Sequence, residues 1–329
     1  MRNYFASLFA ATGVGWNRWW YTKADPFNLC VLRIAVGLIA LYLHVTYTWD
    51  LAYFLPTGGL LPFELTEQLA TDGVLNPARL SYLSYLFTPT ELYIAHTAGG
   101  VILLMFTVGW CTRVTSWLAL WVTLSYVHRA PFATSEVEPI LSMLQFYLCL
   151  GPCGRFLSVD NWRRRRRAAV AAQQRADVPD ETVSANIAIR LIQVHTALAC
   201  LMMGLGKLAG PGSLQDVIVW RDLWGTGEAT WIMIARPLSP MVDLKWLEKS
   251  PYLLQAWSHA ILLFEMLFGL LVWNRWLRPL MLGLAVVHWG LLSLISGVPM
   301  LSVLMIVANI AFVAPAALRH LIPSQDRDG

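Results

Sequence analysis

Long apolar runs separated by short polar stretches dominate this chain. A membrane-spanning helix needs about 20 mostly apolar residues in a row. Runs that approach this pattern lie at 27–47, 92–110, 114–127, 140–150, 187–208, 254–273, 277–295 and 300–316. The pattern predicts an all-α polytopic transmembrane helix bundle of about eight spans. The first run opens on a start signal: Asp25 as cap and Pro26 at the first helical position, where a missing N–H costs nothing.

The segments between the runs fill in the organisation. Residues 1–24 interleave Phe5, Leu8, Phe9, Trp16, Trp19 and Trp20 with Arg18 and Lys23. They lack the apolar core and small-residue cleavage site of a signal peptide, and are expected to form an interfacial helix. Residues 25–162 then make a first half of four spans, 163–184 a basic linker, 185–318 a second half of four spans, and 319–329 a tail. Two connecting segments are too aromatic for plain linkers: 48–90, with Phe54-Leu-Pro-Thr-Gly-Gly-Leu-Leu-Pro62, and 209–251, with Trp220, Trp224 and Trp231. They are expected to form a helical, aromatic cap on the outer side. There is no internal repeat, and no GxGxxG, P-loop or HExxH motif.

Composition sharpens the membrane reading. Of 329 residues, 57% are hydrophobic and 13% charged, about half the charge of an average soluble domain, at roughly 25%. Sixteen Trp and eleven Tyr suit the bilayer interfaces. The net charge of +4 is too small to signal nucleic-acid binding. Arg163 to Arg167 form one basic run, expected to set topology and to meet anionic lipid. With that run inside, 15 basic residues lie inside, 6 outside and 3 within spans. Both termini are then cytoplasmic, in a membrane that fits the bacterial inner membrane. The five cysteines read as small buried apolar groups. Cys149 and Cys153 match neither a zinc nor a thioredoxin spacing, and no metal site is expected.

Ionisable residues inside spans are costly and mark candidate sites. Arg33 and Arg190 lie towards the inner side, where a long side chain can snorkel or pack between helices. His44, His96, His128, Lys207, His259 and His288 fall towards the outer side, with Glu265 deeper and His195 nearer the middle. Each alone has a plain structural role open to it: an interface contact, a hydrogen bond between helices or an anchor. Together they suggest a polar cavity opening outward. His195 and Lys207 are twelve residues apart, so on one helix they point about 120° apart and do not share a wall. A lysine in a dry cavity can act as a base and a histidine as its proton shuttle. Glu265 could orient a histidine or pair with Lys207 or Arg33. Two histidines on different spans could instead hold a b-type haem, since no CxxCH occurs.

Several stretches resemble the HTTM family, the transmembrane domain related to vitamin K-dependent γ-glutamyl carboxylase. They are Asp25-Pro-Phe-Asn-Leu-Cys-Val-Leu-Arg33-Ile-Ala-Val-Gly37, the Phe54 to Pro62 loop, and Gly151-Pro-Cys-Gly-Arg-Phe-Leu-Ser-Val-Asp160. Gly204-Leu-Gly-Lys207-Leu208, Glu265, and the stretch from His288 through Gly297 to Phe312-Val-Ala-Pro315 complete the set. The resemblance implies that Lys207 is the base that takes a proton from a vitamin K-type quinol at an outward-facing site. His288 and Glu265 then complete the catalytic group, with His44, His96, His259 and Arg33 about the cofactor. The chain departs from the family after the lysine, where Gly210-Pro-Gly-Ser213 stands in place of a nearby Trp and Gly. It also has no counterpart of the carboxylase's lumenal domain, so peptide carboxylation is not expected. Another branch, the sporulation-delaying-protein helpers, implies a non-enzymatic role in maturing or exporting a secreted peptide. Three readings follow: a quinone-linked membrane enzyme, a helper for a secreted peptide or protein, and a transporter or b-type haem redox protein.

Overall fold

The computed structural model describes residues 2–56, 58–72, 80–132, 134–170, 181–209, 223–236, 242–297 and 299–321. Among these the chain is helical, and its one β-type pairing is an isolated bridge between Ala24 and Thr182. The helices are α1 (Arg2–Tyr21), α2 (Phe27–Phe54), α3 (Phe63–Thr71), α4 (Pro89–Val108), α5 (Thr112–Arg129), α6 (Val137–Leu150) and α7 (Val159–Val170). They continue with α8 (Val183–Ala209), α9 (Glu228–Ala235), α10 (Pro251–Leu271), α11 (Arg278–Ser296), α12 (Pro299–Ala308) and α13 (Pro315–Leu321). Short 3-10 turns cover Tyr82–Tyr85, Lys245–Lys249 and Asn309–Phe312.

Each of the eight expected runs is helical, but they are not equal. Five helices, α2, α4, α8, α10 and α11, are long and apolar enough to cross a membrane. α6 and the Pro299–Phe312 stretch are apolar but shorter. α5 has 18 residues yet carries Thr112, Arg113, Thr115, Ser116, Thr123 and Ser125. The last expected run breaks before Pro315, which cannot donate a helical N–H. Asp25 Oδ1 accepts the Phe27 N–H at 3.0 Å, so α2 begins one residue later than predicted. Arg163 to Arg167, at the start of the expected linker, lie on α7. Trp220, the Gly210 to Ser213 stretch, residues 171–180 of the expected linker and most of the expected tail lie outside the described residues.

The chain divides into two compact units: Met1–Arg190 with Ala314–Gly329, and Leu191–Val313. In the first, α2 packs on α4 and α6, α5 packs between α4 and α6, and α13 returns to α2. Leu29, Leu32, Leu92, Leu103, Phe106 and Leu144 form its interior. Arg33 is fully buried and donates to the carbonyls of Cys153 (2.7 Å) and Leu157 (2.5 Å). Both acceptors lie in the connection from α6 to α7, so Arg33 fastens that connection to α2. Next to it, Asp160 accepts the N–H groups of Cys111 (2.9 Å) and Thr112 (2.8 Å) and the Thr112 hydroxyl (2.8 Å). It thereby caps α5, whose own N-cap residue makes no side-chain cap. Burial works against the Asp160 charge, but these bonds and nearby Arg164 hold its carboxyl below the ordinary range.

In the second unit α10 packs on α9 and α11, and α11 on α12. The side-chain amide of Gln193 donates to the Ala311 carbonyl at 2.7 Å. Ile234, Leu247, Leu254 and Ile295 form an apolar cluster, with Trp231, Leu244, Trp257 and Leu292 packed against it. α8 and α10 approach closely because two glycines face the contact. A Cβ on Gly269 would meet the Ala197 carbonyl and the Leu201 Cβ, each at 2.8 Å, and one on Gly204 would lie 2.7 Å from Met266 Cγ.

Candidate functional site

That close approach sets the geometry of the second unit's polar cluster. Gly204 brings the backbone of α8 against α10 at Glu265, whose Cβ would lie 3.4 Å from an added methyl group. Lys207 follows three residues later, on the same face of α8. Its Nζ reaches both carboxylate oxygens of Glu265, at 2.7 Å and 2.5 Å. Glu265 is 1% exposed and the Lys207 side chain 16%. A carboxylate so buried needs a partner of this kind, because desolvating a lone charge costs several kcal/mol. Trp224 covers the lysine, with the ammonium 5.0 Å from its ring centroid.

His288 comes from α11 and completes the cluster. Its Nε2 lies 3.9 Å from Glu265 Oε1, beyond hydrogen-bond range, and has no hydrogen-bond partner among the described residues. Its ring is held by Phe264, 4.2 Å away at 31°, and by the edge of Trp289 at 4.9 Å. On its other side His288 helps to line a half-open groove of about 310 Å³ between α10 and α11. The rest of that wall is apolar, and includes Trp257, Ile261, Phe264, Met281 and Leu291. An apolar space with one titratable group backed by a buried ion pair is a place where a lipid-soluble molecule could exchange a proton.

No family model, curated protein or solved structure matches this chain. The functional reading therefore rests on the residues themselves.

His44 and His96 belong to the first unit and form a group of their own. Their rings stack at 3.9 Å and 8°. His44 Nε2 bonds to the His96 carbonyl (2.8 Å). His96 Nε2 bonds to the Thr48 hydroxyl (2.8 Å), and its Nδ1 to the Tyr126 hydroxyl (2.6 Å). Parallel stacked rings, with both nitrogens of one already bonded, do not face each other across an iron as haem ligation requires. Tyr126 stacks on Tyr47, which donates to Glu138 Oε1 at 2.6 Å, and Ser135 donates twice to Oε2. The space among His44, Tyr47, Tyr126 and Glu138 is about 10 Å³, the size of one water. A wider cavity of about 400 Å³, lined by Tyr47, Asp50, Phe54, Tyr126 and Phe132, adjoins it.

The remaining candidates are placed singly. Arg33 serves the α6–α7 connection. His259 is exposed on α10. His195 bonds within its own helix to the Leu191 carbonyl (3.3 Å), and His128 accepts the Leu80 N–H (2.9 Å). Among the described residues no three His, Cys, Asp or Glu side chains gather as metal ligands would. Sequence reading missed the roles of Trp224, Phe264, Tyr47 and Tyr126. It also missed Arg129, which is buried and donates to the Leu55 and Leu61 carbonyls (2.9 Å each), pinning the Phe54 to Pro62 loop.

Proposed function

We propose that the chain is an integral membrane protein that takes a proton from a lipid-soluble, weakly acidic ring compound of the quinol class. The observation that carries this reading is the meeting of a buried ion pair, Lys207 with Glu265, and the apolar groove that His288 lines. Lys207 accepts the hydroxyl proton by way of His288, which lines the groove, when its own proton has passed to Glu265 and the pair is neutral. The ammonium that results is held by Glu265 and stays beside the quinolate it has generated. His288 stands between groove and carboxylate and returns the proton towards the outer side. The resemblance to the carboxylase-related HTTM family supports the choice of ligand and of base. Both termini and Arg163 to Arg167 are cytoplasmic in this reading, in a bacterial inner membrane, and α5, α6 and α12 complete eight spans.

The test uses 2-methyl-1,4-naphthoquinol with the purified full chain. Binding is read by quenching of tryptophan fluorescence, since Trp257 lines the groove. Deprotonation is read by the rate at which dissolved oxygen oxidises the bound quinol, because the anion is the form that oxidises. Ala260→Trp, which fills the groove, should abolish binding. Lys207→Arg, which keeps a charge opposite Glu265, should keep binding and expression but lose the enhanced oxidation; Lys207→Ala should lose it too, at lower stability because Glu265 is left unpaired. A guanidinium stays protonated in proteins. Wild-type oxidation by Lys207→Arg would overturn the base, and unquenched wild-type fluorescence would overturn the ligand class.

A further inference from the structure

The connection from α6 to α7 folds back on the start of α5 and borders an open cavity of about 420 Å³. Three guanidinium side chains contribute to its wall: Arg113 from the first turn of α5, Arg155 from the connection, and Arg164 from α7. Asp160 is the one acid in that wall, and three hydrogen bonds to the start of α5 already engage its oxygens. Arg164 donates to neutral acceptors, the Arg155 carbonyl (3.1 Å) and Asn161 Oδ1 (3.4 Å). The cavity therefore carries a surplus of positive charge presented as guanidinium, the group best matched to the several oxygens of a phosphate.

The polar part does not stand alone. The cavity shares Thr112, Arg113, Pro152 and Gly154 with a second space of about 290 Å³ that reaches Ser116, Trp117 and Cys149 on α5 and α6. Trp117 is exposed there and meets the exposed ring of Phe146 edge-on at 6.2 Å. Charge at one end and an apolar, aromatic trough at the other suit an amphiphile with an anionic head. A soluble phosphate would use the arginines and leave the trough unused.

We propose that the α5–α6–α7 junction is a binding site for one anionic phospholipid, its phosphate among Arg113, Arg155 and Arg164 and an acyl chain along Trp117 and Phe146. This differs from a general attraction of the arginine run for a charged membrane, because it names a cavity and excludes Arg166 and Arg167, which lie on the same helix outside it.

The full chain in a neutral detergent is titrated with dioleoylphosphatidylglycerol and separately with dioleoylphosphatidylcholine, and bound lipid is counted by native mass spectrometry. Wild type should hold one phosphatidylglycerol at concentrations where phosphatidylcholine has dissociated. Arg113→Gln with Arg164→Gln, both exposed positions, should weaken that binding about thirtyfold, the usual strength of two arginines near an anionic lipid. Arg166→Gln with Arg167→Gln removes the same charge and should change it less than about twofold. Trp117→Ala should weaken it with no change in charge. If the double variant misfolds, Arg164→Gln alone carries the test. Equal losses in the two double variants, or no loss in either, would overturn the site. Displacement of the lipid by millimolar glycerol phosphate would assign the arginines to a soluble anion and overturn the lipid.

Discussion

At the scale of single residues, the pair of Lys207 and Glu265 decides the chemistry of the second unit. Hydrogen bonds between membrane helices are worth about 0.6 kcal/mol on average and roughly 1.7 at most in double-mutant cycles. A buried ion pair differs, since removing one partner strands the other charge and costs about 3–5 kcal/mol. Glu265→Gln and Lys207→Met should each destabilise on that scale. The double variant should be less damaged than the sum, with a coupling above about 2 kcal/mol, measured by unfolding in mixed micelles. Additive losses would mean that the two charges do not depend on each other. Both residues were legible in the sequence, because a charge inside an apolar run stands out alone. The choice between Lys207 and Arg33 as partner of Glu265 was not, since it depends on which helices touch. Trp224 and Phe264 were hidden for the opposite reason: among sixteen tryptophans and thirteen phenylalanines, no one ring stands out. His259 was placed with the cluster by depth. It is six residues from Glu265, hence about 120° away around the helix, which agrees with its exposure.

At the scale of helices, apolar length located the eight long runs, while α3, α7 and α9, which lack such a run, and the fastenings between helices were not located by it. Asp160 reaches back 48 and 49 residues to cap α5, and Arg33 reaches forward 120 and 124 residues to the α6–α7 connection. No local pattern encodes such pairs. The α5 cap makes a test with a definite sign. Asp160→Ala removes the acceptor from three donors at the start of α5, and should cost about 1 kcal/mol, as a lost helix cap does. The Asp160 carboxyl titrates below the ordinary aspartate value of 3.8 in the folded chain. Its contribution is therefore complete above that pH and fades as pH falls below it. Thermal melts of wild type and Asp160→Ala should differ by a constant amount at neutral pH and converge in strong acid. A difference that persists at the lowest pH would assign the loss to packing instead of charge.

At the scale of the whole chain, contacts inside the first unit constrain how often the chain crosses the membrane. Ala24 pairs with Thr182, and Asp25 with Arg319 at 2.8 Å, so the starts of α2 and α8 and the helix α13 lie together. A chain that crosses an odd number of times between Asp25 and Arg319 cannot bring them to one side. Five spans are odd. The short Pro299–Phe312 stretch is then expected to complete a crossing, and α5 with α6 to cross as a pair or not at all. Either choice leaves Arg163 to Arg167 on the side of both termini, and the excess of basic residues there, 15 against 6 for eight spans, predicts that this side is cytoplasmic. The expectation is checked with a membrane-impermeant maleimide in intact spheroplasts, after Cys111, the exposed cysteine, is replaced by serine. Arg167→Cys and His320→Cys should label only after lysis, while Glu64→Cys on α3 and Lys245→Cys before α10 should label at once. External labelling of His320→Cys with Arg167→Cys still protected would mean an odd count, and would separate Arg319 from Asp25. External labelling of Arg167→Cys would invert the chain and turn the Lys207 site to the cytoplasm.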